Sequence, residues 1–211
     1  DAASPRLELQ VIRDASAFVA LRDEWNALVL QSSATVYQTH EWASAWWEHF
    51  AGRPHQSLHC LLLREEGRLV GIVPLYEERV AVLGLPAQRR LALMGEGNAF
   101  SVSSGMFFDN GPSDYLDAII EPASEPEAAR TVASYLFELS WDALEFVNVP
   151  EGSMILTMLV PELETRQRPC RATKADACPY LPVPASLEEY FTTLSGSVRR
   201  RFVQAHRAST G

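Results

Sequence analysis

The chain has 211 residues, of which 47% are hydrophobic and 21% charged, a balance that supports one or two ordinary folded domains with a real core. Its formal net charge of −9 argues against general binding to nucleic acid or to membrane surfaces, because phosphates attract Lys and Arg. Cys60, Cys170 and Cys178 form no CxxC pair, and an odd number at loose spacing is no disulfide framework, so a reducing, cytoplasmic setting is expected. No apolar stretch approaches the ~20 residues that span a bilayer, and no basic-then-apolar leader opens the chain.

Leu7 to Ile12 alternates apolar and polar residues and predicts a strand. Asp14 can cap the helix that follows over 15–31, where Phe18, Leu21, Trp25 and Leu28 recur at helical spacing. Thr39 caps a second helix over 40–51, which carries Trp42, Trp46, Trp47 and Phe50. The apolar runs Leu58–Leu63 and Leu69–Leu75 predict two strands, with a hairpin turn at Glu65, Glu66 and Gly67. Leu91–Met94 is a further strand candidate, followed by a polar, glycine-containing loop over 95–105 and a strand-like Met106–Phe108. Tyr115–Ile120 suits strand or helix. Glu127–Ser140 predicts a helix with Ala129, Val132, Ala133, Leu136 and Phe137 inward. Ala143–Val149 predicts a strand, and 153–160 a short helix. Ser186, with Glu189 three positions on, has the form of a capping box. A basic helix over about 196–208 closes the chain and leaves its apolar side chains without a partner, so the natural protein is expected to continue past Gly211.

Motifs of known chemistry are scarce. There is no GxSxG elbow, no GxxxxGK[ST] and no GxGxxG. His55 and His59 have i, i+4 spacing, but a strand pattern covers His59 and holds such a pair too far apart to chelate, so no metal site is expected. Trp42, Trp46 and Trp47 could stack on a sugar or base, although aromatics at helical spacing usually pack a core. One of the adjacent pair Trp46 and Trp47 must turn partly outward. Asp109, Asp114 and Asp117 lie near Gly111 and Pro112, where acids usually make turns. Tyr115 beside Asp114 suits recognition of a polar ligand. Arg199-Arg200-Arg201 with Arg207 could grip an anion or form a solvated helix face.

The end-to-end pattern carries a resemblance. Phe18-x-x-Leu21-x-x-x-Trp25-x-x-Leu28 is followed by Val36-Tyr37-Gln38-x-x-x-Trp42-x-x-x-Trp46-Trp47, then by Gly71-Ile72-Val73-Pro74-Leu75. Cys178-Pro179-Tyr180-Leu181-Pro182-Val183-Pro184 then leads into Ser186-Leu187-Glu188-Glu189-Tyr190 and an arginine-rich helix. This resembles the cellulose-biosynthesis-type (CelD/BcsL-like) acetyltransferases of the GNAT superfamily. The resemblance implies an α/β, GNAT-like fold, a mixed and mostly antiparallel sheet flanked by helices on both faces. It implies an N-terminal GNAT-like domain over 1–184 and, over 185–211, the start of a second, acyl-CoA-binding domain. It implies the substrate-side part of an N-acyltransferase that moves an acetyl or related group from acetyl-CoA to an amine, on an envelope sugar or polysaccharide precursor. Its partners would be that small substrate and the C-terminal GNAT domain of the same natural chain. The family's Q/RxxGxG/A diphosphate loop does not occur here, and Arg89-Arg90-Leu91-Ala92 does not supply it, so this part alone is not expected to hold the cofactor. Expected ligand contacts are Gln38, Trp42, Asp114 and Tyr115, with Arg199 and Arg200 for an anion. The alternative is a noncatalytic scaffold that recruits a partner through its basic helix.

Overall fold

A computed structural model describes residues 7–51, 55–80, 88–96, 113–174, 177, 179 and 184–209. The chain divides into two compact units, Asp1–Thr173 and Lys174–Gly211. The first is an α/β unit built on two four-stranded sheets, ordered β1-β3-β4-β7 and β2-β5-β6-β8. The strands are β1 (Glu8–Ile12), β2 (Gln56–Leu58), β3 (Cys60–Glu65), β4 (Arg68–Val73), β5 (Leu75–Val80), β6 (Gln88–Leu93), β7 (Ile119–Ile120) and β8 (Ala143–Glu145). Every pairing is antiparallel except that of β6 with β8.

Two expected strands each break in two, and the breaks define the sheets. Pro74 separates β4 from β5: it has no N–H to donate, so the ladder is interrupted where the sequence alone suggests one strand over 69–75. Its carbonyl still accepts from Met94 N at 2.8 Å. Opposite it, His59 separates β2 from β3, and its N–H donates to the Leu75 carbonyl at 3.1 Å. The chain therefore bends from one sheet into the other along both strands. The β3–β4 hairpin turns on Glu66 and Gly67, with φ of 49° and 82°, the positive pair that a two-residue hairpin favours.

Helices cover both faces. On one side lie α1 (Ala15–Ala20), α2 (Arg22–Val29) and α3 (His40–His49). The helix expected over 15–31 is interrupted at Leu21, whose N–H turns back to Phe18 O and Val19 O. Asp14 caps α1 through Ala17 N, and Thr39 caps α3 through Trp42 N. Phe18, Trp25, Leu28 and Trp46 pack here against Leu62, Ile72 and Tyr76. On the other side α4 (Glu125–Glu138) packs Ala129, Val132, Ala133 and Leu136 against Leu61, Leu63, Leu75 and Leu93. A π-helical turn (Ile155–Leu159) running into α5 (Val160–Thr165) completes that layer. Burial of both faces explains why β3 is written as an unbroken apolar run.

Phe137 corrects the expected inward set. It is 47% exposed, about 100° of helical rotation beyond Leu136, and Arg168 lies over its ring at 5.7 Å. Only Ala143–Glu145 of the expected 143–149 strand is extended and paired, and only Ile119–Ile120 of 115–120. The strand expected at Met106–Phe108 lies outside the described residues.

The second unit holds α6 (Leu187–Thr193) and α7 (Gly196–Ser209). Ser186 Oγ accepts from Glu189 N, while Glu189 Oε2 reaches back to Ala185 N rather than to the cap residue itself, a box shifted by one position. Tyr190, Phe191 and Phe202 form a ring cluster that ties the two helices, with centroids 5.9–6.4 Å apart.

Candidate functional site

Buried polar groups gather near the bend between the sheets. On α3, Trp42 and Trp46 lie one turn apart, and each indole N–H reaches a loop at that bend. Trp42 Nε1 donates to Ser113 Oγ at 2.7 Å, and Trp46 Nε1 to the Glu96 carbonyl at 3.0 Å. Gln38 is buried: its Nε2 donates to the Tyr115 carbonyl at 2.9 Å, while its Oε1 accepts from Thr35 N at 2.6 Å in a capping box. Asn148 Nδ2 donates to the Ser113 carbonyl and its own carbonyl accepts from Leu116 N. Tyr115 and Asn148 both take left-handed backbone, with φ of 55° and 54°, so two strained residues are held within this one small network.

Three of the four ligand contacts expected from sequence, Gln38, Trp42 and Tyr115, are therefore joined by hydrogen bonds through the 113–115 loop. Asp114 is exposed on the same loop, and Tyr115 is 43% exposed. The side-chain amide of Gln38 and the indole N–H of Trp42 are engaged within the protein. Trp47 is the half-exposed member of the adjacent tryptophan pair, and Trp46 is buried. Asp117 ends the loop. Its Oδ1 accepts from Ser153 Oγ at 2.6 Å and Ala118 N at 2.8 Å, and burial pushes its carboxyl up to about 6.

Beside this loop lies a charged cluster within the core. Tyr76 and Glu78 on β5, Arg90 on β6 and Glu145 on β8 share one sheet face by strand alternation and register. Arg90 donates to Glu145 Oε2 at 2.6 Å, to the Tyr76 hydroxyl at 3.2 Å, to Glu78 Oε2 at 3.4 Å, and to Glu96 Oε1. Tyr76 OH donates to Glu96 Oε1 at 2.7 Å. The second oxygen, Glu96 Oε2, is buried without a hydrogen-bond partner. One guanidinium thus faces three carboxylates. Burial pushes the Glu96 carboxyl up to about 7, against the downward pull of Arg90 and Tyr76.

Neither Arg90 nor Glu96 stands out in the sequence. The available signal is a charge at inward strand positions: Glu78 and Arg90 face each other across β5 and β6 on the face that also carries buried Tyr76 and Ala92. Gly95 locks the two parts together. Its φ is +104°, and a Cβ there would lie 2.6 Å from Leu116 Cδ2 and 2.8 Å from Ser113 Oγ. Gly95→Ala is expected to destabilise the fold by about 2–4 kcal/mol, read as a lower urea midpoint. An unchanged midpoint would mean that the 113–116 loop moves aside freely.

Among the described residues no group of three or more His, Cys, Asp or Glu is placed to hold a metal ion. Cys60 is buried, which pushes its thiol up and leaves it inert. Arg199 and Arg200 are exposed on α7 in the second unit. The 95–105 loop beyond Glu96 lies outside the described residues. No helix among the described residues is long and apolar enough to cross a membrane.

The fold and its site define a two-sheet α/β unit with a buried ionic cluster at the bend. No family model and no curated protein matches the chain. Among solved structures, a ribosomal-protein-alanine N-acetyltransferase from Brucella melitensis biovar Abortus 2308 is similar at 12% identity and a TM-score of 0.38, over 82% of this chain and 99% of that one. An integron cassette protein from the mobile metagenome of V. cholerae is similar at 8% identity and a TM-score of 0.35, over 89% of this chain and 98% of that one. At such values the likeness decides neither family nor activity.

Proposed function

We propose that this chain is the substrate-side domain of a GNAT-type N-acyltransferase, resembling the cellulose-biosynthesis-type enzymes, which moves an acyl group from CoA to an amine on a sugar or polysaccharide precursor. The observation that carries the reading is Glu96. Its carboxyl is fixed by Tyr76 and Arg90, keeps one buried oxygen unpartnered, and is pushed by burial up to about 7. A base poised near the working pH is what removal of an amine proton needs. In this reading Tyr115 and Asp114, on the loop beside it, contact the rest of the acceptor, with Gln38 and Trp42 holding that loop.

The described helix N-termini of the first unit do not fit the diphosphate of CoA. In the first unit the N-terminus of α1 is capped by Asp14, that of α3 by Thr39 with Glu41 in its first turn, and that of α4 carries Glu125 and Glu127. Each places an acceptor or a negative charge where a phosphate would have to sit. The acyl donor is therefore assigned to a companion domain, and the role of this chain is to hold the acceptor and take its proton.

Acetyl-CoA at about a hundred times its Kd raises stability by about 2.7 kcal/mol where a site exists. The melting temperature of this chain is expected to stay unchanged, and that of a chain extended past Gly211 to rise. In the extended chain Glu96→Gln should lower kcat/KM by about a hundredfold and remove an ionisation near pH 7. A rise in the short chain would overturn the assignment of the donor to a companion domain. No rise in either would favour the scaffold reading, in which α7 recruits a partner. Full activity in Glu96→Gln would remove Glu96 as the base.

A further inference from the structure

The second unit carries a charge pattern unlike that of the first. Most of the described arginines of the first unit have a carboxylate within 4.0 Å, with Arg13, Arg168 and Arg171 as the exceptions. In a chain of net charge −9 that is the expected outcome, since acids are in excess. Arg199, Arg200 and Arg201 depart from it: they are exposed and make no ion pair among the described residues. From Phe191 to Gly211 the sequence contains these three and Arg207 and no acidic residue. The first three arginines are left for an anion outside the unit.

Their placement on the helix narrows the anion. At about 100° per residue, Val198, Phe202 and Ala205 fall within an arc of about 60° on α7. Arg199 lies about 60° past one edge of that strip and Arg201 about 40° past the other, by the same rotation. Phe202 is 48% exposed although its ring packs on Tyr190 and Phe191, and Leu187 on α6 is 59% exposed. A narrow apolar strip with a cation on each side is the arrangement by which a helix lies in a lipid interface, the strip in the acyl boundary and the guanidinium groups at the phosphates. A nucleic-acid duplex would use the cations and leave the strip wet.

We infer that α7, with the ring cluster at its start, is a docking surface for an anionic lipid bilayer, holding the chain at a membrane surface without crossing it. The inference does not rest on Glu96 and would stand if Glu96 had no catalytic role.

The test uses the full chain and sedimentation with vesicles of phosphatidylcholine alone or of two parts phosphatidylcholine to one part phosphatidylglycerol. Binding is expected to the anionic vesicles only, and to be lost when salt is raised from about 0.1 M to about 0.5 M, where screening shortens to a few ångströms. Each basic side chain near an anionic surface contributes roughly fivefold, so Arg199→Glu with Arg201→Glu should weaken binding more than tenfold. Phe202→Ala should weaken it roughly fivefold through lost apolar burial. The salt titration of the unaltered chain needs no variant to fold. Equal binding to neutral vesicles, no binding to anionic ones, or binding that survives both charge reversals overturns the proposal. So does duplex DNA displacing the vesicles with an affinity that Phe202→Ala leaves unchanged, since the surface would then be a phosphate-backbone site.

Discussion

Arg90→Met is expected to be among the most destabilising single substitutions in this chain, by about 3–5 kcal/mol at pH 7, because it leaves buried carboxylates without their counter-charge. Arg90 touches Glu78, Glu96 and Glu145, and the first two are buried with it. Methionine fills much the same volume, so the loss is electrostatic rather than a cavity. The effect should shrink as pH falls towards 5, when the stranded carboxylates take up protons and cease to repel one another. Glu96→Gln should behave oppositely and stay within about 1 kcal/mol of the parent, since Glu96 titrates near 7 and an amide keeps its acceptor for Tyr76 and Arg90. Urea unfolding of both variants and of the double variant measures the coupling. If Arg90→Met lowered the midpoint no more than a surface substitution does, the cluster would be solvated in solution.

The contrast between Arg90 and the tryptophans shows what the sequence could disclose. Phe18, Trp25, Leu28 and Trp46 announce themselves by helical spacing, and all four are buried against one sheet face. Helix spacing, cap residues and the Glu66-Gly67 turn are local rules, so most of the elements and the α/β class are legible, while helices on both faces are what the family resemblance implies. The break into two sheets was less so. Pro74 was visible inside an apolar run, but His59 marks the matching break only because it pairs across to Leu75. The same limit hides the site. Gln38 and Tyr115 lie 77 positions apart, and Arg90 and Glu145 lie 55 apart. Their meeting depends on register and on which strand neighbours which, and no periodicity records either. Gln38, Trp42 and Tyr115 stand out by chemical type alone, and the fold joins them through one loop, although two of them support it from within.

Changing pH should separate three buried groups whose titrations pull stability in opposite directions. His59 is buried between the sheets. Its Nε2 is 2.8 Å from Tyr135 OH, while Nδ1 has no hydrogen-bond partner and stands 3.9 Å from Glu77 Oε2. Burial lowers its pKa to about 4, with Arg13 and Arg89 adding to the drop and Glu77 opposing it. The unfolded chain therefore binds the proton first, and stability falls as pH drops from 6.5 to about 4, by about 3 kcal/mol in full. Glu96 and Asp117 act with the other sign. Their folded pKa values are raised to about 7 and about 6, so the native state binds the proton first. Stability from these two groups rises as pH falls through about 7 to 4.5 and through about 6 to 3.8. In the parent the gain from Glu96 offsets the loss from His59 across pH 6.5–4.5, and the gain from Asp117 remains, so the urea midpoint should rise there by the equivalent of about 2 kcal/mol. His59→Gln removes the acid penalty, so its midpoint should climb on acidification. Asp117→Asn removes one of the two gains and leaves Glu96 and His59 opposed, so its midpoint should stay nearly level. Midpoints read by tryptophan fluorescence at a few pH values decide the matter. Parallel profiles for the parent and His59→Gln would mean that this imidazole is reached by water in the folded protein, and that the bend between the two sheets is not closed.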